Sequence, residues 1–311
     1  MHERRQGVLF LLTVILAWGF TWPVNKLVLL SVPPVWAVAL RSAIATVTTF
    51  VLALALRRLI VPPREDLPVL LSITLCHMVG FTILTSFGLA VVPAGRSVVL
   101  AYTTPLWVTP GAALFLGERL TARRTIGVLV GLLGLATLFN PFAFDWSSRS
   151  AVLGNAAILA GALLWAASIL HTRGHRWRST PFELLPWQLL LATAILVSVS
   201  LAFEGTPDWT WTPALIGLLL YGGLPGTGLP YWAIAMATRR LPAFTISLGL
   251  LATPVFSVVV STLWLHEPLS ASLVIAIVLI LGGIAIGATG APAMPTTRTV
   301  PAARSVLGNG P

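Results

Sequence analysis

Ten apolar stretches follow one another along this chain with little between them, at roughly 8–30, 34–56, 67–91, 93–116, 123–141, 151–172, 181–203, 212–236, 241–265 and 270–289. Each is long enough to cross a hydrocarbon core of about 30 Å as a helix. An open chain in lipid satisfies its own peptide groups only as helix, so the pattern predicts an all-α polytopic membrane protein with ten transmembrane helices. Composition closes off the alternatives. Of the 311 residues 57% are hydrophobic and 9% charged, where a soluble domain carries about 25% charge. A soluble enzyme and a disordered chain are both excluded on those grounds. The first stretch follows Arg4 and Arg5 as a signal peptide would, yet it is too long and runs on through Trp22 and Asn25 without a small-residue cleavage site.

The basic residues predict sidedness. With the N-terminus placed in the cytoplasm, fifteen of the nineteen Lys and Arg fall in inner segments, in groups such as Arg57, Arg58 and Arg64, or Arg173, Arg176 and Arg178. Such a bias predicts that both termini are cytoplasmic. It also accounts for the net charge of +10 without nucleic acid, because basic loops belong beside an anionic leaflet. Of the four others, Arg149 sits in an outer loop. Lys26, Arg41 and Arg96 fall in the outer halves of spans, where they either attract a carboxylate into a vestibule or snorkel to headgroups.

The second half of the chain repeats the first. Pro93, Ala94, Thr104, Pro105, Leu116, Glu118, Leu120 and Gly134 are matched by Pro242, Ala243, Thr253, Pro254, Leu265, Glu267, Leu269 and Gly283, each at an interval of 149 residues. Trp18 and Trp165 are 147 apart. Five spans per copy is an odd number, so the copies are expected in opposite orientations. That predicts two inverted repeats, 1–141 and 151–289, followed by a disordered cytoplasmic tail at 290–311. Secondary transporters share this plan and bind substrate near mid-membrane between the halves.

The stretch AWGFTWPVNK (Ala17 to Lys26), Arg41, Pro105, LGERLT at Leu116–Thr121 and LHEPLS at Leu265–Ser270 resemble the drug/metabolite transporter superfamily, in particular its EamA-type members. The resemblance covers the chain from Trp18 to about Gly287. It implies ten helices in two five-helix repeats and transport of small metabolites, most like the bacterial exporters of aromatic amino acids. The chain departs from the pattern twice. His266 stands where a glycine often precedes the second glutamate, and GGLPGTGLP (Gly222–Pro230) predicts a locally unwound eighth helix.

Polar and aromatic groups within spans are the candidates for function, because they are costly in lipid. Trp18, Trp22 and Asn25 form one stripe of the first helix. Trp18 lies near mid-span, where its indole N–H needs a partner, and Trp165 occupies the corresponding place in the sixth. Both are expected to face a substrate, or to be packed core aromatics. Tyr102, Tyr231 and Tyr221 are further binding candidates. His77 is the ionisable side chain nearest the middle of a span, fit to bind, gate or carry a proton, or to bond a neighbouring helix as a neutral group. Pro105 and Pro254 read as hinges. Glu118 and Glu267 stand at helix ends. Gly127, Gly131, Gly134, Gly283 and Gly287 suit either close helix crossings within the chain or contacts in a homodimer.

No cofactor or metal is expected: the chain has no phosphate-binding GxxxxGK[ST] loop, one cysteine (Cys76) and no ligand-spaced cluster. The expected function is therefore a multi-pass secondary transporter in a bacterial inner membrane. It would export small amphipathic metabolites, aromatic amino acids first, by alternating access, with substrate and lipid as its partners and the chain working as monomer or homodimer. Purines, cationic drugs and nucleotide sugars remain open on the same scaffold. A channel or membrane enzyme would need a selectivity ring or catalytic constellation that the sequence does not show.

Overall fold

Helix after helix fills the computed structural model, which describes residues 2–139, 144–241 and 243–289 and has no strand among them. The spans are α1 (His2–Val28), α2 (Pro34–Ala55), α3 (67–91), α4 (Ala94–Leu116), α5 (Ala122–Leu138), α6 (Arg149–Gly174), α7 (Pro181–Phe203), α8 (213–238), α9 (243–264) and α10 (Ala271–Thr289). Seven are long and apolar enough to cross a membrane by length and composition. Of the rest, α5 has 17 residues, while α8 and α9 are interrupted. Pro242 and the tail 290–311 lie outside the described residues.

Helix starts show where the sequence needed tertiary help. Thr121, Ser148 and Thr212 cap α5, α6 and α8 with their own hydroxyls, and Thr180 with Glu183 forms a capping box on α7. In contrast α2 and α4 start after Pro33 and Pro93, which offer no capping oxygen. Their free first-turn amides are taken by carboxylates from other helices. Glu204 accepts from the Val35 and Trp36 N–H groups at 2.9 Å each. Glu267 accepts from Ala94 and Gly95 at 2.6 and 2.9 Å. A carboxylate there also meets the positive end of the helix dipole. These contacts lie at one end of the bundle, the first end.

At the second end, Asp66 in the turn Arg64–Asp66 does similar work for the segment leading into α7. Its fully buried carboxylate accepts from His175 Nε2 at 2.9 Å and from the Arg178 and Ser179 amides at 3.1 and 2.8 Å. Burial alone would push this carboxyl up, but the hydrogen bonds outweigh it and hold the group at about 2.

Glycine decides the pairing of α5 with α10. A methyl group on Gly127 would come within 2.4 Å of the Gly283 carbonyl oxygen, and one on Gly283 within 2.4 Å of the Gly127 carbonyl oxygen. The two backbones touch, so these residues serve a crossing inside the chain. Four described residues elsewhere hold positive φ, among them Gly117 at 66° after α4 and His266 at 56° after α9. His266, the departure noted in the sequence, adopts the left-handed backbone that glycine holds at the matching position 149 residues earlier.

Candidate functional site

Two cavities, of about 450 and 530 Å³, lie along the middle of the bundle. Trp18, Tyr102, Trp165 and Ile169 line both. Those four side chains therefore form a shared wall. The first cavity reaches from this wall toward Leu29 and Leu89 near the first end. The second reaches toward Glu118 and Arg173 at the second end.

The wall is held by aromatic packing. His77 stacks face to face on Trp165, with centroids 5.0 Å apart and planes 4° from parallel. Phe81 leans on both rings, and Tyr102 meets Trp165 edge-on at 6.4 Å. Across the cavity Trp18 meets Tyr231 edge-on at 6.0 Å. Offset and edge arrangements of this kind are the favoured ones for ring quadrupoles.

Irregular helix geometry brings these groups to the centre. Tyr102 falls at a break in α4, between Ala94–Ala101 and Thr104–Leu116, where Pro105 cannot donate to the ladder. A matching break in α9 falls at Leu251, before Pro254; Pro105 lines the second cavity, whereas Pro254 is buried. His77 and Phe81 sit on a π-helical stretch of α3, Ile73–Phe81. The GGLPGTGLP segment is a correction to expectation, for it is not unwound. It continues as a π turn, Leu224–Gly228, in which Thr227 Oγ1 donates to the Gly222 carbonyl at 2.8 Å. The carbonyl that Thr227 occupies is one that a wide turn would otherwise leave exposed. Gly223 and Gly226 let that turn lie on α2 and α1, since added methyls would fall 2.4 Å from Ile44 and 3.0 Å from Thr21. Gly226, Thr227 and Tyr231 thereby reach the first cavity.

Charge is distributed unevenly. Lys26 donates to the Leu89, Ala90 and Val92 carbonyls at 2.6, 3.2 and 3.0 Å, closing the end of α3. Arg96 donates to Asn155 and to the Leu138 carbonyl at 2.7 Å each and lies over the Phe139 and Phe144 rings. In the second cavity Glu118 pairs with Arg124 at 3.0 Å and with Arg173. Arg41 differs from all of these. It lines the first cavity and makes no hydrogen bond or ion pair with any described residue. Among the described residues, no group of three or more His, Cys, Asp or Glu is placed to hold a metal ion.

Of the candidate residues, the structure brings Trp18, His77, Tyr102, Trp165 and Tyr231 to one cavity, with Trp22 and Asn25 beside them. Tyr221 is a correction. It lines neither cavity, because its hydroxyl is spent on the Ala17 carbonyl at 3.0 Å and its ring packs on Phe20. Among the described residues His77 makes no hydrogen bond; it stacks on Trp165 of α6 instead. Sequence reasoning missed Thr21, Thr82 and Thr85, which line the first cavity while their hydroxyls donate to carbonyls one turn back. Threonines bonded this way are common throughout membrane helices, so nothing in the sequence sets them apart.

Packed apolar helices around paired central cavities are the build of a membrane carrier. The EamA-like transporter family model matches the chain twice, over residues 5–140 and 152–288, and the chain belongs to that family. It is 27% identical to an uncharacterized transporter of Bacillus subtilis (strain 168), YoaV, over 89% of this chain and 94% of that one. An Escherichia coli (strain K12) protein described as a "probable amino-acid metabolite efflux pump" is 26% identical, over 93% of this chain and 96% of its own. A solved crystal structure superposes with a TM-score of 0.65 at 24% identity, covering 90% of this chain and 95% of that one. That likeness speaks to the fold. The protein is thus a multi-pass membrane transporter, not an enzyme.

Proposed function

We propose that this transporter is a secondary carrier of a bacterial inner membrane that exports small amphipathic metabolites, aromatic amino acids first among them. The observation that carries this reading is the aromatic wall shared by two cavities, one toward each end of the bundle. A substrate held against Trp18, Tyr102 and Trp165 is reachable from either cavity once its outer closure opens. The halves 1–141 and 151–289 would be inverted copies that rock about this wall, with both termini in the cytoplasm. The double match to one family model supports the repeat, as do helix breaks at Tyr102 and Leu251 separated by the same 149 residues. The description of the Escherichia coli relative supports amino-acid metabolites as cargo. Both cavities are lined by residues of one chain, and the carrier would work as a monomer or as a homodimer.

Coupling follows from the charges. Among the described residues the first cavity is lined by no Asp or Glu, and Glu118 in the second is paired with two arginines. The mechanism is therefore uniport or exchange without a carboxylate proton relay; among the described residues of the first cavity, His77 is the group whose titration would change that. Purified protein in liposomes preloaded with unlabelled L-tryptophan tests the reading. Saturable uptake of labelled tryptophan against its gradient, with no stoichiometric proton movement, is expected. Flux linear in concentration without counterflow would mark a channel and sink the proposal.

A further inference from the structure

Lys26, Arg41 and Arg96 stand within the first-end halves of α1, α2 and α4, and the fold uses two of them structurally. Lys26 seals the end of α3, and Arg96 ties α4 to α5 and α6. Arg41 lies seven residues past Pro34, about 10 Å along α2 at 1.5 Å per residue. Its stem runs over Gly222, where an added methyl would sit 3.1 Å from both Cγ and Cδ. The side chain is thus steered along α8 to the first cavity rather than to lipid. Arg96 and Arg240 lie over aromatic rings, but Arg41 has no such contact among the described residues. A guanidinium carries five N–H donors in a fork matched to a planar anion. Keeping one at this depth without a partner is costly.

We infer that Arg41 is the anion anchor of the first cavity and that the substrate is a small organic acid held through a single carboxylate. Its carboxylate lies on the guanidinium and its planar apolar body lies against Trp18, His77 and Tyr231. This rests on the reading of the first cavity as the carrier's binding site. The charge count fixes the class. The described lining holds one arginine, no lysine, no aspartate and no glutamate. One carboxylate neutralises it, whereas a phosphate dianion would leave a buried negative charge and a cationic drug would add a second positive one. An amine is not required, because no carboxylate stands ready to receive an ammonium group.

The test is calorimetric titration of the purified full-length protein with two matched series. One is 3-(indol-3-yl)propionate, its amide and tryptamine; the other is hexanoate, hexanamide and hexylamine. The indole acid should bind, with its amide and tryptamine at least about thirtyfold weaker, the size expected when one partner of a buried charged pair is lost. Arg41→Gln should weaken the acid by a similar factor and leave the amide unchanged, with Arg41→Lys between, because an ammonium cannot pair in two places. The wild-type series decides the matter even if a variant unfolds. Equal binding of the indole acid and amide would overturn the anchor while leaving an aromatic site standing. Preference for acid in the hexyl series alone would keep the anchor and overturn the aromatic reading. Binding of no acid in either series would overturn the proposal.

Discussion

The two cavities share a wall and differ in almost everything beyond it. The first is ringed by π-helical turns of α3 and α8, hydroxyls and aromatic faces, and its Arg41 guanidinium has no hydrogen bond or ion pair among the described residues. The second is bounded by Pro105, Leu106 and the touching backbones of α5 and α10, and its charges are paired among themselves. Where the arginines already hold a carboxylate of the chain, as Arg124 and Arg173 hold Glu118, the cavity serves as a passage. Where the chain leaves one unpaired beside irregular helices it builds a place for something else to bind. The closures differ too. Glu204 ties α7 to the start of α2 at the first end, the end that the first cavity faces, while beside the second cavity α5 and α10 are joined by glycine contacts.

That contrast can be broken by mutation, and the largest effect should come from the glycine seam. Gly127→Ala places a methyl against backbone, which cannot move aside as a side chain can, so a loss of about 3 kcal/mol is expected. Gly131→Ala meets only the end of Leu106 and should cost less. Thermal unfolding in detergent reads both, and equal stability of Gly127→Ala and wild type would mean that α5 and α10 are not in contact.

Next in size is the Asp66 clasp. Asp66→Asn turns an acceptor into an NH₂ group facing an amide donor and should cost about 2 kcal/mol at pH 7. The Asp66 carboxyl is lowered from an ordinary 3.8 to about 2. Its contribution is therefore fully present above about pH 4 and is lost as pH falls through 2. The gap between wild type and variant should close over that window; a gap independent of pH would mean the carboxylate charge is not what holds the loop.

Smaller still is the turn after α9. His266→Gly should stabilise by about 1 kcal/mol by relieving a left-handed backbone at a residue with a Cβ. Any loss of stability would show that the imidazole makes a contact worth more than the strain. Least of all, Arg173→Gln should leave binding in the first cavity within about threefold, because its partner Glu118 keeps Arg124. A loss as large as that expected for Arg41→Gln would erase the distinction between the cavities.

Much of the fold was legible because lipid imposes one rule, a run of about 20 apolar residues per crossing. The ends of α2, α4 and α7 fall within a residue or two of where hydropathy and proline placed them. The central aromatics were legible as well, since Trp18, Tyr102 and Trp165 are large groups with polar handles at mid-span. The π turns were not. In α3 the stretch ITLCHMVGF carries no proline, and a widened turn is settled by packing against α6 and α7. The fates of Lys26, Arg41 and Arg96 were equally hidden, because each has the same depth and charge in the sequence. Only the carbonyls of α3 and α5, and the gap above Gly222, separate them.

The central claim is that substrate rests on the shared aromatic wall. Counterflow of L-tryptophan and of L-leucine through Trp18→Leu and Trp165→Leu tests it most directly. Each ring contributes about 0.5–1.5 kcal/mol beyond area burial, so losing both should weaken tryptophan binding roughly ten- to a hundredfold. Leucine, for which the new side chain still offers apolar surface, should suffer less. Unchanged tryptophan transport in both variants would contradict the account, and equal loss for the two substrates would reduce the wall to packing.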